Sequence, residues 1–126
     1  MSANSPNPVC WFEIPAPDLA SSQKFYQAIL QIELTILEMP PYQMAMFPAD
    51  PTMPGCGGAL VCGPDNVPSD QGSIVYLAAT DCALVLNRVA AAGGTLLLEK
   101  TSIGEHGFIG LLLDPAGNKV GVHSMQ

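Results

Sequence analysis

Positive charge is scarce in this chain. Lys24, Arg88, Lys100 and Lys119 stand against eleven carboxylates, for a net charge of −7. A surface so acidic repels phosphate backbones, which argues against nucleic acid as a partner. No polybasic stretch is present to dock on an anionic membrane, and no apolar run approaches the ~18 residues of a span. The N-terminal MSANSPNPV lacks the charged and apolar segments of a secretory signal. CxxC spacing is absent too: Cys10, Cys56, Cys62 and Cys82 sit singly among apolar or small neighbours. Without a signal these read as reduced thiols, so a cytoplasmic protein is expected. At 126 residues the chain makes one domain. A domain of that size buries roughly two-thirds of its unfolded surface, enough to hold together without a metal or a disulfide.

What the chain does have is a repeat. Trp11 to Leu30 (WFEIPAPDLASSQKFYQAIL) reads as a strand, a Pro-punctuated turn and a helix opened by Asp18. Ile74 to Gly93 (IVYLAATDCALVLNRVAAAG) reads the same way around Asp81, 63 positions later, half the chain's length. At that offset Ser22, Tyr26 and Ile29 meet Val85, Val89 and Ala92 on one helical face, and Gly58 to Val61 meets Gly121 to Ser124. Identity between the halves is low, so the repeat is one of pattern.

In order, residues 1–8 are polar and Pro-broken and predict a loose arm, leaving 9–126 as a single domain. Module one covers 9–62. Strands are expected at Val9 to Ile14, Ile32 to Glu38, Tyr42 to Phe47 and Gly57 to Cys62. Between the first two runs a helix, from Asp18 to Gln31, capped by the Asp18 carboxylate and striped by Phe25, Tyr26, Ile29 and Leu30. The turn-forming run 63–72 (GPDNVPSDQG) is the linker. Module two, 73–124, repeats the order. Strands are expected at Ser73 to Ala79, Thr95 to Lys100, Phe108 to Leu113 and Lys119 to His123. Its helix is expected from Asp81 to Ala92, stopped by Gly93-Gly94. Each half is thus βαβββ, an α+β arrangement. Several strands are apolar on both faces, so both faces must be covered.

This order, with Asp18-Leu19 and Phe25-Tyr26 at D-L-x₅-F-Y spacing, Ala92-Gly93-Gly94, and Asp114-Pro115-Ala116-Gly117-Asn118, resembles the vicinal oxygen chelate superfamily. That group comprises glyoxalase I, the fosfomycin and bleomycin resistance proteins and extradiol dioxygenases. The first strand, Cys10 to Pro15, is similar to a glyoxalase-related branch of unassigned activity. The resemblance runs from Val9 to His123. It implies two tandem βαβββ modules forming a curled, cup-like mixed sheet with helices outside, a ligand site within, and often a homodimer. It also implies a divalent metal held by four side chains of the first and last strands. Those positions fall on Trp11, Gly58, Ile74 and Gly121, with Gly57 or Ala59 as one-residue slips. None offers the imidazole, thiolate or carboxylate that such a metal needs. We therefore expect no metal and no cofactor.

If the ligand-position faces point inward, Trp11, Glu13, Ile74, Tyr76, Gly121 and His123 line the floor of the cup, and the glycines leave room. Core packing competes with an aromatic wall for Trp11. A carboxylate on an apolar strand needs a partner, so Glu13 is expected either to bond Lys119 or backbone amides, or to serve a ligand as acid or base. His106 reads as a solvated loop histidine, with a rim or lid role as the alternative. Met39, Met44, Met46 and Met53 read as adaptable filler. Three function classes fit. One is a metal-free protein that binds a small apolar or amphipathic molecule, the reading these residues favour. Another is a lyase, isomerase or dioxygenase-type enzyme using Glu13, or using Glu13, His106 and His123 as unusual metal donors. The last is an interaction protein whose cup is filled by Trp11 and Tyr76.

Overall fold

The computed structural model describes residues 7–126, so most of the arm expected over 1–8 lies outside the described residues; Asn7 and Pro8 are exposed and irregular. Two βαβββ units follow one another. The first comprises β1 (Trp11–Pro15), α1 (Leu19–Leu30), β2 (Thr35–Met39), β3 (Tyr42–Met46) and β4 (Gly57–Cys62). The second comprises β5 (Val75–Ala78), α2 (Cys82–Leu86), β6 (Thr95–Ser102), β7 (Phe108–Leu113) and β8 (Lys119–Ser124). Each unit forms its own four-stranded mixed sheet, in the orders β1-β4-β3-β2 and β5-β8-β7-β6. The outer pairs β1/β4 and β5/β8 are parallel and the remaining pairs antiparallel. The repeat in the sequence is therefore a repeat of topology. Among the described residues no helix is long and apolar enough to cross a membrane.

Of the boundaries that differ from the sequence reading, three have a clear local reason. β1 starts at Trp11 rather than Val9 because its partner β4 begins at Gly57, leaving Val9 and Cys10 nothing to pair with. β2 starts at Thr35 rather than Ile32. Leu34 spends its N–H on Gln27 Oε1 (2.9 Å) and its carbonyl on Gln23 Nε2 (3.2 Å), so the chain stays pinned to α1 there. α2 is regular only to Leu86, not to Ala92. Beyond it the amides of Arg88 and Val89 reach back three residues, to Val85 and Leu86, and the helix tightens into turns. α1 matches its prediction closely. The Asp18 carboxylate accepts from Ser21 N, and Gln31 closes the helix in the left-handed region at φ 57°.

The helix-side faces of both sheets share one core. Sheet one contributes Ile14, Ala45 and Leu60; sheet two contributes Leu77, Leu112, Val120 and Val122. Between them lie Phe25, Tyr26 and Ile29 of α1 and Val85, Leu86 and Val89 of the α2 segment. Each such side chain stabilises the fold by about 1.5–3 kcal/mol when fully buried. Phe25 and Phe47 meet the Tyr26 ring edge-on, at centroid distances of 5.0 and 5.7 Å.

Polar ties join the modules. The Tyr26 hydroxyl donates to Asp114 Oδ2 at 2.7 Å, across buried surroundings. Asp114 also accepts from Asn118 Nδ2 (2.9 Å) and from the amides of Ala116 and Asn118. Asn118 Nδ2 donates onward to the Pro15 carbonyl at 2.7 Å. The Asp114–Asn118 turn, which by sequence is only a good turn, is thus a clamp between β1, α1 and the β7–β8 hairpin.

Candidate functional site

The faces of the sheets turned away from the core are where a cup would form. On sheet one the strand register places Trp11 and Glu13 beside Gly57 and Ala59, then Met44 and Met46, then Leu37. Met44, Ala59 and Val61 form a small apolar cluster there, flanked by Tyr42 and Met46. Above it opens a hollow of about 350 Å³ lined by Glu13, Met39, Tyr42, Met44, Val61 and Asp65 among others. On sheet two the register groups Tyr76 with Gly121, and His123 with Ile109. A second hollow, also about 350 Å³, lies among Tyr76, Ile103, His106, Ile109 and His123.

The residues expected on one floor are therefore divided within the chain between two separate hollows. Glu13 lines the first, with Trp11 (43% exposed) beside it on the same face; Tyr76 (45% exposed) and His123 line the second. Gly121 lies directly beneath the Tyr76 ring, where an added Cβ would strike it. Ile74 precedes β5, exposed and outside the strand. Gly58 is on the opposite face from the one expected. It pairs with Phe12, and a Cβ there would collide with the Phe12 ring on the core side. Its neighbour Gly57 takes the cup-side place next to Trp11. A strand flips its side chain at every residue, so a slip of one position exchanges the faces.

Glu13 is exposed and forms no ion pair with Lys119; its Oε2 accepts the Trp11 indole N–H at 3.3 Å. Of the alternatives expected for it, the bond to Lys119 is absent, and the carboxylate stands exposed beside its aromatic neighbour. The His123 ring binds the His106 carbonyl through Nε2 at 2.6 Å. A carbonyl only accepts, so Nε2 is the donor, and in the neutral ring Nδ1 is then the acceptor. His106 itself ends a short 3₁₀ turn, Gly104–His106, and is exposed at the edge of the second hollow.

The donors present do not fit the metal that the resemblance implies. Trp11, Gly58, Ile74 and Gly121 carry no ligating side chain, and Glu13 and His123 stand in different hollows. Among the described residues no three His, Cys, Asp or Glu side chains converge.

One further cavity was invisible to sequence reasoning. On the core side, where the two modules face each other, a cleft of about 530 Å³ opens between Phe12 and Phe47 of module one and Leu77, Leu84, Val85 and Arg88 of module two. Its walls come from segments far apart in sequence, and no local motif marks them.

No protein-family model and no curated protein matches this sequence. Solved structures do match. Glyoxalase I from Zea mays is 23% identical with a TM-score of 0.68, the match covering 98% of this chain and 48% of that one. The chain thus spans about half the length of the maize enzyme. A glyoxalase/bleomycin resistance protein from Albidiferax ferrireducens T118 is 23% identical with a TM-score of 0.69, covering 92% of this chain and 98% of that one. A glyoxalase-related enzyme from Fulvimarina pelagi is 17% identical with a TM-score of 0.66, covering 92% and 86%. The repeated βαβββ topology and these likenesses together give the chain the glyoxalase/bleomycin resistance/dioxygenase fold, that of the vicinal oxygen chelate proteins.

Proposed function

We propose that the protein binds a small apolar or amphipathic molecule on the cup side of its sheets, without a metal, in a cavity completed by a second copy of the chain. One observation carries this reading. Trp11, Leu37, Met39, Tyr76 and Ile103 are large apolar side chains left exposed on strands or at the rims of the two cup-side hollows. Large apolar side chains left exposed at hollows suit a binding or association face. The few polar groups among it, Glu13, His123 and Asp65, match the sparse polar complement of small-molecule sites. Each chain offers two half-cups. Pairing the module-one face of one chain with the module-two face of another would cover both sides and put Trp11 and Glu13 opposite Tyr76 and His123. A cytoplasmic setting suits this reading, since Cys10, Cys56, Cys62 and Cys82 are all free thiols.

A second reading rests on the His123 tautomer. In such a dimer a hydrated Glu13 carboxylate and the free Nδ1 of His123 would flank the same space, the pair that an acid–base enzyme of the lyase or isomerase type needs.

Sedimentation at micromolar concentration should give a dimer; a species of 13.2 kDa alone would remove the shared cup. A thermal-shift screen of small amphipathic compounds, with and without chelator, should find ligands that raise the melting temperature equally in both conditions. Tyr76→Ala should abolish the shifts of hits that bind on the cup side. Hits that vanish on chelation would instead favour a metal-dependent enzyme.

A further inference from the structure

We propose that the core-side cleft between the modules is a separate binding site, for an amphipathic monocarboxylate whose charged head pairs with Arg88. The cleft lies across sheet one from the Trp11 and Glu13 face, so this proposal is independent of the cup. At about 530 Å³ it is the larger space and falls within the usual ~300–1,000 Å³ of ligand pockets. Its walls are apolar: Phe12 and Phe47, tilted 5.5 Å apart, face Leu77, Leu84 and Val85.

The charges at the cleft select the ligand's sign. Two formal charges belong to its lining, Asp81 and Arg88. Asp81 is already answered: its Oδ1 accepts from Lys100 Nζ at 2.9 Å and from Ala83 N at 3.0 Å. Arg88 is not. It spends one N–H on the Ile29 carbonyl at 3.0 Å, which fixes its guanidinium at the cleft. No carboxylate among the described residues pairs with it. In a chain with eleven carboxylates and a net charge of −7, a half-buried arginine left unpaired beside an apolar cleft is a local positive site. A guanidinium fork matches a carboxylate by two parallel hydrogen bonds. The apolar walls then take the hydrocarbon tail. A neutral or cationic amphiphile of equal length gains the second contribution without the first.

The test uses octanoate, 1-octanol and octylammonium as probes, titrated into the full chain and followed by amide-resolved NMR. Octanoate should shift amides around Phe12, Leu84 and Arg88, and bind at least about tenfold more tightly than octylammonium. Arg88→Gln should weaken octanoate by about tenfold while changing 1-octanol less than about twofold. Because Arg88 also braces α1, Leu84→Asp serves as a second variant. Its side chain is 55% exposed at the mouth, so the fold tolerates it, and the added carboxylate should repel octanoate but not octylammonium. The proposal is overturned if no saturable shifts occur, if they map to Tyr76, Ile103 and His123, or if neither cleft variant alters octanoate affinity.

Discussion

Replacing Tyr26 by Phe removes a single oxygen from the centre of the molecule, and the structure fixes what that should cost. The ring is fully buried and keeps its edge-on contacts with Phe25 and Phe47, so no cavity larger than the hydroxyl opens. The loss is the 2.7 Å hydrogen bond to Asp114 Oδ2, a bond to a buried carboxylate. Bonds to charged groups contribute about 1.5–3 kcal/mol net. Asp114 Oδ2 is not orphaned, because Asn118 Nδ2 still donates to it at 2.9 Å. The lower part of that range applies, about 1.5–2 kcal/mol. For 126 residues the unfolding entropy is about 0.26 kcal/mol/K, so the melting temperature should fall by roughly 6–8 °C. Urea unfolding followed by circular dichroism measures this. Tyr42→Phe is the control, since its hydroxyl reaches Asp65 only at 3.4 Å on the exposed surface and should matter by less than about 0.5 kcal/mol. The same pair predicts a pH dependence. Burial, then the Asp114 charge and its hydrogen bond, hold the Tyr26 hydroxyl's pKa well above its ordinary 10.0. Below that pH both states keep the proton. Above it the unfolded tyrosine ionises while the buried one does not, so the native state binds more protons and stability falls with rising pH. The parent should therefore lose stability above pH 10.0 more steeply than the Phe variant. A Tyr26→Phe protein within about 0.5 kcal/mol of the parent, or with the same alkaline slope, would refute this account of the clamp.

Glu13→Gln should leave stability within about 0.5 kcal/mol, since the carboxylate is exposed, while weakening any cup ligand; a large loss of stability would show a buried partner. Gly58→Ala should cost about 1–3 kcal/mol by driving into Phe12 at the core, whereas Gly121→Ala should cost less because the Tyr76 ring above it can swing toward solvent; equal losses in urea unfolding would count against the two-face assignment. Asp81 has its carboxyl held below the ordinary 3.8 by the Lys100 hydrogen bond and then by the Ala83 amide. Its contribution is present above 3.8 and lost as pH falls through the folded value, so Lys100→Met should flatten the acid side of the stability profile. Purified protein should carry no stoichiometric transition metal and melt at the same temperature after chelation; elemental analysis near one equivalent of zinc, nickel, iron or manganese would overturn the reading of Trp11, Gly58, Ile74 and Gly121.

The sequence by itself determined the repeated βαβββ order, because that order is written locally. Asp18 and Asp81 cap, α1 carries its stripe at helical spacing, and Gly, Pro and Asp bracket β4 and β7, which lie where the pattern places them. The metal-ligand positions come from the resemblance; the sequence adds only that Trp11, Gly58, Ile74 and Gly121 carry no donor side chain. Where the local signal was silent, the reading slipped. Gly57-Gly58 has no side chains to mark which face is which, so a one-residue ambiguity moved Gly58 from the cup to the core. The Val85 to Ala92 run has helical spacing throughout, yet its backbone tightens after Leu86, where Arg88 reaches across to the Ile29 carbonyl of α1. Only the tertiary structure decided how the modules face each other. Tyr26 and Asp114 are 88 positions apart and Asn118 and Pro15 are 103, separations at which no periodicity carries information. The same long-range packing turned both helix faces to a common core, divided the expected floor between two hollows, and opened the Arg88 cleft between Phe12 and Leu84. Such features are set by which surfaces meet, and hydrophobic burial is non-directional, so a one-dimensional pattern of apolar residues cannot specify them.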